Sequence, residues 1–172
     1  LEYYLSAEEA GEVLNNTNGY YWRNRWFKPK HKEEVKVYYS TRGALRTYIH
    51  QIPEDASGDS LTKDNALNAA QFFLVGTMGI DIQDWELIES KTEKLKNRWD
   101  HEFEWKERSF NIKESNHILT VKVQGDQIGY YNERIKVPES WKLKYEKIRS
   151  KNNLLGDLGF TVLIIAIIII FI

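Results

Sequence analysis

The sequence has no cysteine, which excludes a disulfide scaffold, a thiolate metal site, a cysteine nucleophile and an iron–sulfur cluster. Histidine is sparse, at positions 31, 50, 101 and 117. No two histidines are four apart around a glutamate, so a zincin helix is excluded. Neither sign of charge is in excess: 24 basic residues face 25 acidic ones, a formal net charge of -1. A nucleic-acid binder working through bulk charge would carry a basic surplus on one face, so no nucleic-acid partner is expected. Proline is rare, with three in 172 residues. The glycines form no Gly-rich run ending in Lys-Ser/Thr, and Gly76-x-x-Gly79 ends a helical pattern where a phosphate loop should start one. Ser109, Ser115 and Ser140 lack any nucleophile-elbow context.

What is present is aromatic and, at one end, greasy. Six Trp and ten Tyr raise the aromatic share to 13%, the composition of a chain that folds rather than stays disordered. From Leu158 to Ile172 there is no charge, and from Val162 onward every residue is Val, Leu, Ile, Ala or Phe. A helix crossing a bilayer needs about 20 apolar residues. The run is expected to be the first part of a transmembrane helix, with a tail anchor or a buried core strand as the alternatives. The chain starts at Leu1 with no basic n-region or signal cleavage site. An internal piece of a longer membrane protein is therefore expected.

Ser6-Ala7-Glu8-Glu9 fits a capping box, predicting a short helix to about Asn15. Thr62 starts a second helix, with Asp64 in the first turn. Ala66, Ala70, Phe73 and Leu74 make its apolar stripe, and Gly76 and Gly79 close it. The remainder alternates as strands: 20–28, 34–40, 44–52, 84–94, 99–108, 117–124 and 127–137, with hairpin turns at Thr41-Arg42-Gly43 and Gly125-Asp126.

The two halves repeat one order of events. Each has a helix, a Trp-bearing strand (Trp26, Trp105), Val-Lys-Val (35–37, 121–123), a Gly turn and a return strand ending in Pro-Glu (53–54, 138–139), the second half having an extra strand after its helix. The expected fold is α+β: two helix-plus-antiparallel-meander units, 1–58 and 59–140, each sheet covering its own helix. Proline, with no N–H for the ladder, marks where each last strand stops. A basic linker, 141–153, and the transmembrane segment, 154–172, follow. The linker carries Lys142, Lys144, Lys147, Arg149 and Lys151 beside Trp141 and Tyr145. It reads either as an amphipathic helix at the lipid interface or as a solvated connecting helix.

Catalytic chemistry finds no foothold. His31 lies between Lys30 and Lys32, while His50, His101 and His117 fall on predicted strands, where they are expected to face solvent. The carboxylate pairs Glu8-Glu9, Glu33-Glu34 and Glu54-Asp55 read as solvated turns and caps, since general acid–base work needs a carboxyl in an apolar pocket. Trp22, Trp26, Trp85, Trp99, Trp105 and Trp141 could line a binding groove. They are expected instead to serve the core and cross-strand pairs. No catalytic, cofactor-binding or metal-ligating residue is assigned.

The combination of Trp22-Arg-Asn-Arg-Trp26-Phe-Lys-Pro29, Lys32-Glu-Glu34-Val-Lys-Val37 and His50-Gln-Ile-Pro53-Glu-Asp55-Ala56 is distinctive. So are Phe103-Glu-Trp105, Val121-Lys-Val-Gln-Gly-Asp126, and Val137-Pro138-Glu139-Ser-Trp141 ahead of Arg149-Ser-Lys-Asn152. Together they resemble the extracytoplasmic region ahead of the membrane core in some bacterial CPBP-family intramembrane metalloproteases, the group that includes CAAX prenyl endopeptidases. The two units also resemble PepSY-like accessory repeats.

That family's catalytic motifs, Glu-Glu-x3-Arg, Phe-x3-His and His-x3-Asn/Asp, lie on transmembrane helices around a metal. Here Tyr38 stands where Arg should follow Glu33-Glu34, and Phe27-x3-His31 falls in a Lys/Pro-rich turn. No catalytic residue is carried over, and the resemblance implies that any metal belongs beyond Ile172. It implies a non-catalytic role, positioning a protein or peptide substrate or a partner at the bilayer, with the soluble part outside the bacterial inner membrane. The basic linker points the other way, since the positive-inside rule would place it in the cytoplasm. The alternative is the peptide- or ligand-binding ectodomain of a single-pass sensor.

Overall fold

The computed structural model describes residues 5–16, 20–110 and 112–171. Helix α1 (Ala7–Asn16) opens the chain, followed by strands β1 (Tyr21–Phe27), β2 (Glu34–Ser40) and β3 (Leu45–Gln51). Helix α2 (Lys63–Phe72) runs on into a π-helical turn (Phe73–Thr77). Then come β4 (Trp85–Lys94), β5 (Trp99–Glu107), β6 (Asn116–Gln124), β7 (Gln127–Lys136) and helix α3 (Glu139–Phe171).

Local chemistry accounts for these boundaries. The Ser6 N–H and hydroxyl both donate to Glu9, at 2.8 and 3.0 Å, and the Glu9 N–H donates back to the Ser6 hydroxyl. This reciprocal pair is the capping box. Thr62 caps α2, accepting from the Asn65 N–H. Gly43 (φ 85°) and Gly125 (φ 64°) sit in the left-handed region at the two hairpin turns, where a Cβ would be strained. β3 stops at Gln51 and β7 at Lys136, just before Pro53 and Pro138.

The seven strands form one antiparallel sheet in the order β1-β2-β3-β7-β6-β5-β4. The last strands of the two meanders, β3 and β7, pair at its centre through Thr47↔Asn132, Tyr48↔Tyr131 and Ile49↔Tyr130. Each of these return strands carries a bulge shortly after its Gly turn. Arg46 is the extra residue in β3 and Gly129 in β7.

Side chains alternate between the two faces, and α2 covers one of them. Ala66, Ala70 and Leu74 bury against Phe103 and Trp105 of β5, Leu119, Val121 and Val123 of β6, and Tyr131 of β7. Helix α1 departs from expectation. Its buried face (Leu5, Ala10, Val13) packs on Ile112 and Ile135, in the second meander rather than the first. The antiparallel order explains this, because the start of β1 and the end of β7 share one end of the sheet. A helix just upstream of β1 therefore reaches Ile135. Its three-residue apolar stripe matches two isoleucines, and every residue of β1 stays exposed.

The segment joining the meanders is strapped down rather than loose. Arg98, 3% exposed, pairs through Nε with Asp100 at 2.9 Å. Its Nη1 donates to the Pro53 and Ala56 carbonyls, both at 2.9 Å. Asn97 Nδ2 donates to the Asp55 carbonyl at 2.6 Å. Gly125 completes the contact: a Cβ there would lie 2.9 Å from the Asp59 nitrogen.

Helix α3 is continuous for 33 residues, so the basic stretch and the apolar run form one element. It is long and apolar enough to cross a membrane, with a mean hydropathy of 2.4 over an 18-residue window and none of that window buried.

Candidate functional site

The sheet face opposite α2 is largely polar, although Ile118, Thr120 and Glu104 on it are buried. A cleft of about 420 Å³ opens on it, lined by Ile49, Gln51, Glu102, Lys122, Tyr130 and Arg134 among others. Strands β3, β5, β6 and β7 supply these side chains because alternate residues on each strand point the same way.

At the centre of the cleft, Arg134 donates through Nη2 to Glu104 Oε1 at 2.5 Å and through Nη1 to Thr120 Oγ1 at 2.6 Å. The Thr120 hydroxyl in turn donates to Glu104 at 3.2 Å. Burial works against the Glu104 charge, but the hydrogen bond and charge of Arg134 outweigh it and hold the carboxyl below its ordinary pKa. Lys122 lies 3.6 Å from Glu93 and 3.8 Å from Asp100. Burial raises the Tyr130 phenol.

A general acid needs a carboxyl pushed upward, whereas Glu104 is held as an anion by a partner it cannot shed cheaply. Gln124 Oε1 is buried and has no hydrogen-bond partner among the described residues. It lies where a Cβ on Gly129 would sit, 2.0 Å away, so the bulge glycine makes room for this amide.

A second polar cluster lies at the other end of β6, on the α2 face. His117 places Nδ1 2.7 Å from Glu107 and Nε2 3.0 Å from Glu133. The Trp85 and Phe110 rings lie at 5.1 and 5.5 Å. A neutral imidazole has one N–H and can donate to only one carboxylate, so holding both requires the imidazolium. Burial opposes that charge, but the hydrogen bonds to Glu133 and Glu107 prevail and raise the pKa.

The four histidines are not brought together. His31 is exposed in the β1–β2 turn, and His50 meets Glu33 at 2.8 Å. His101 is buried, with Nε2 2.9 Å from the Leu61 carbonyl and Nδ1 3.0 Å from the Thr92 hydroxyl. Among the described residues no group of three His, Asp or Glu side chains could hold a metal ion.

One expectation is corrected. His101 and His117 are buried, not solvent-facing. They share the alternation of Phe103 and Trp105 and of Leu119, Val121 and Val123, which was the available signal. Of the tryptophans, Trp105 is in the core, while Trp22 and Trp26, 70% and 56% exposed, stand in cross-strand register with Tyr39 and Val35.

No family model, curated protein or solved structure matches this chain.

Proposed function

We propose that the chain is a membrane-tethered, non-catalytic accessory module that positions a substrate or partner at the bilayer surface. The parent is read as a multi-pass bacterial protein resembling the CPBP intramembrane metalloproteases. The observation that carries this reading is α3, one uninterrupted helix whose apolar half packs on nothing in the domain. An apolar helix left bare in water exposes a patch far beyond what soluble monomers tolerate, and lipid removes that cost. The ion-paired cleft supports binding over catalysis. The matched turns and bulges of the two return strands support duplication of a PepSY-like unit.

Alkaline carbonate washing of membranes from cells expressing the full chain tests the anchor. Retention in the pellet is expected, and release into the supernatant overturns the proposal. We place the domain on the outer face, so protease added to intact spheroplasts is expected to cleave it. Cleavage only after lysis would reverse the topology.

A second reading, a single-pass sensor ectodomain, is favoured by the cleft with its unpartnered Gln124 oxygen. Any chain beyond Ile172 discriminates the two. Further hydrophobic segments bearing Glu-Glu-x3-Arg support the first, and a soluble signalling domain supports the second.

A further inference from the structure

The two outer strands of the sheet are built differently. β4 mixes Glu86, Glu89 and Glu93 with Lys91 and Lys94 and is broken by a bulge between Leu87 and Glu89. Charges and bulges are how an edge resists further pairing. β1 has no bulge: its seven residues pair with β2 in unbroken register, all seven are exposed, and its only charges, Arg23 and Arg25, are of one sign.

The outward-facing backbone groups of β1 can be assigned. The Ser40 N–H donates to the Ala44 carbonyl at 2.8 Å, so Ser40 turns its backbone toward β3. Its β1 partner, Tyr21, therefore turns its own backbone away from β2. The Thr41 N–H to Tyr20 carbonyl bond fixes the same phase. Alternation along an antiparallel ladder then leaves Tyr21, Arg23, Arg25 and Phe27 with N–H and C=O pointing away from β2, with no partner strand among the described residues.

The side chains give this edge a chemistry. Trp22 and Trp26 stand on one face, with Arg23 and Arg25 on the other. From Val13 to Lys32 there is no acidic residue, while Arg23, Arg25, Lys28, Lys30 and Lys32 are all cationic. Arg25 is held by Glu34 at 2.5 Å. Arg23, Lys28, Lys30 and Lys32 form no ion pair among the described residues.

We propose that β1 is the docking edge for an extended acidic polypeptide segment. The segment adds to the sheet as an eighth strand, with acidic side chains toward Arg23 and Arg25 and apolar ones toward Trp22 and Trp26. Unpaired peptide groups in register select a polypeptide over lipid or nucleic acid. A second copy, paired antiparallel about Asn24, would set Arg23 against Arg25, and like charges opposite one another repel. A bilayer is disfavoured by topology, because the cationic β1–β2 turn lies at the end of the sheet opposite the root of α3. That last point rests on α3 being the anchor. The binding assay below, run in detergent, does not, so the two readings fail separately.

The probe is an end-blocked nine-residue peptide alternating Glu and Val, titrated into the full chain in detergent with tryptophan fluorescence as readout. Saturable binding that weakens with salt is expected. Arg23→Ala, which keeps the outward amide, is expected to weaken it about fivefold, as one exposed ion pair does. Arg23→Pro, which removes the amide without touching the β1–β2 ladder, is expected to weaken it about tenfold further. The proposal is overturned by any of three results. These are absence of binding, equal binding of the Lys-for-Glu peptide, or equal loss in the Ala and Pro variants. Concentration-dependent dimerisation that blocks the peptide would likewise overturn it in favour of a second copy. Protection of Trp22 and Trp26 by anionic but not neutral nanodiscs would do so in favour of lipid.

Discussion

His117 is held by two carboxylates and walled by two aromatic rings, and its proton decides whether that arrangement is attractive. Its pKa is raised in the folded chain. The stabilisation is therefore fully present below the unfolded value of about 6.5 and is lost as pH rises through the folded value. His117→Asn removes the charge at every pH. The gap in denaturation midpoint between wild type and this variant is expected to be widest in mild acid and to narrow on the alkaline side. A gap that widens with pH would contradict the imidazolium assignment. Glu104 behaves oppositely: its lowered pKa makes its contribution present above the ordinary carboxylate value and lost as pH falls.

Helix α2 shows how an element's role follows from a few small residues. Ala66 and Ala70, both fully buried, let the helix approach β5 and β6 closely, and Leu74 reaches into the space between them. Leu74→Ala leaves a cavity that the alanines cannot fill and is expected to cost about 2–5 kcal/mol, read from urea unfolding. A loss below about 1 kcal/mol would mean that the helix shifts to close the gap. The element boundaries were largely legible in the sequence. Gly43, Gly125, Pro53, Pro138, Ser6 and Thr62 act locally, and local chemistry fixed the strand ends and the helix starts to within about two residues, whereas α2 gives way to a π-helical turn at Phe73, ahead of the expected stop at Gly76. The docking of α1 was not legible, because which meander it packs on depends on strand order. That order in turn rests on the pairing of Tyr48 with Tyr131, residues far apart in the chain. The burial of His101 and His117 was written in their alternation with core residues, yet polarity argued for solvent.

At the scale of the whole molecule, Arg98 ties the two meanders together through the Pro53, Glu54 and Ala56 carbonyls and Asp100. Removing one partner of a buried ion pair leaves the other charge stranded, so Arg98→Met is expected to destabilise by about 3–5 kcal/mol. The two halves share one sheet, so the variant should still unfold in a single transition. Two resolved transitions in calorimetry would show that the meanders are separable units. The cleft, by contrast, could not have been foreseen. Glu104, Thr120 and Arg134 come from three strands and meet only when β7 closes against β6.

Only Val137 and Pro138 separate the sheet from α3, and the helix then runs unbroken. On the proposed anchoring, with lipid taking the stretch from Leu154 onward, the fifteen residues before it form a helical stalk of about 22 Å at 1.5 Å per residue. The head is thus mounted like a signpost rather than tethered like a balloon. On that reading, the length of the post sets how far from the headgroups the sheet can stand.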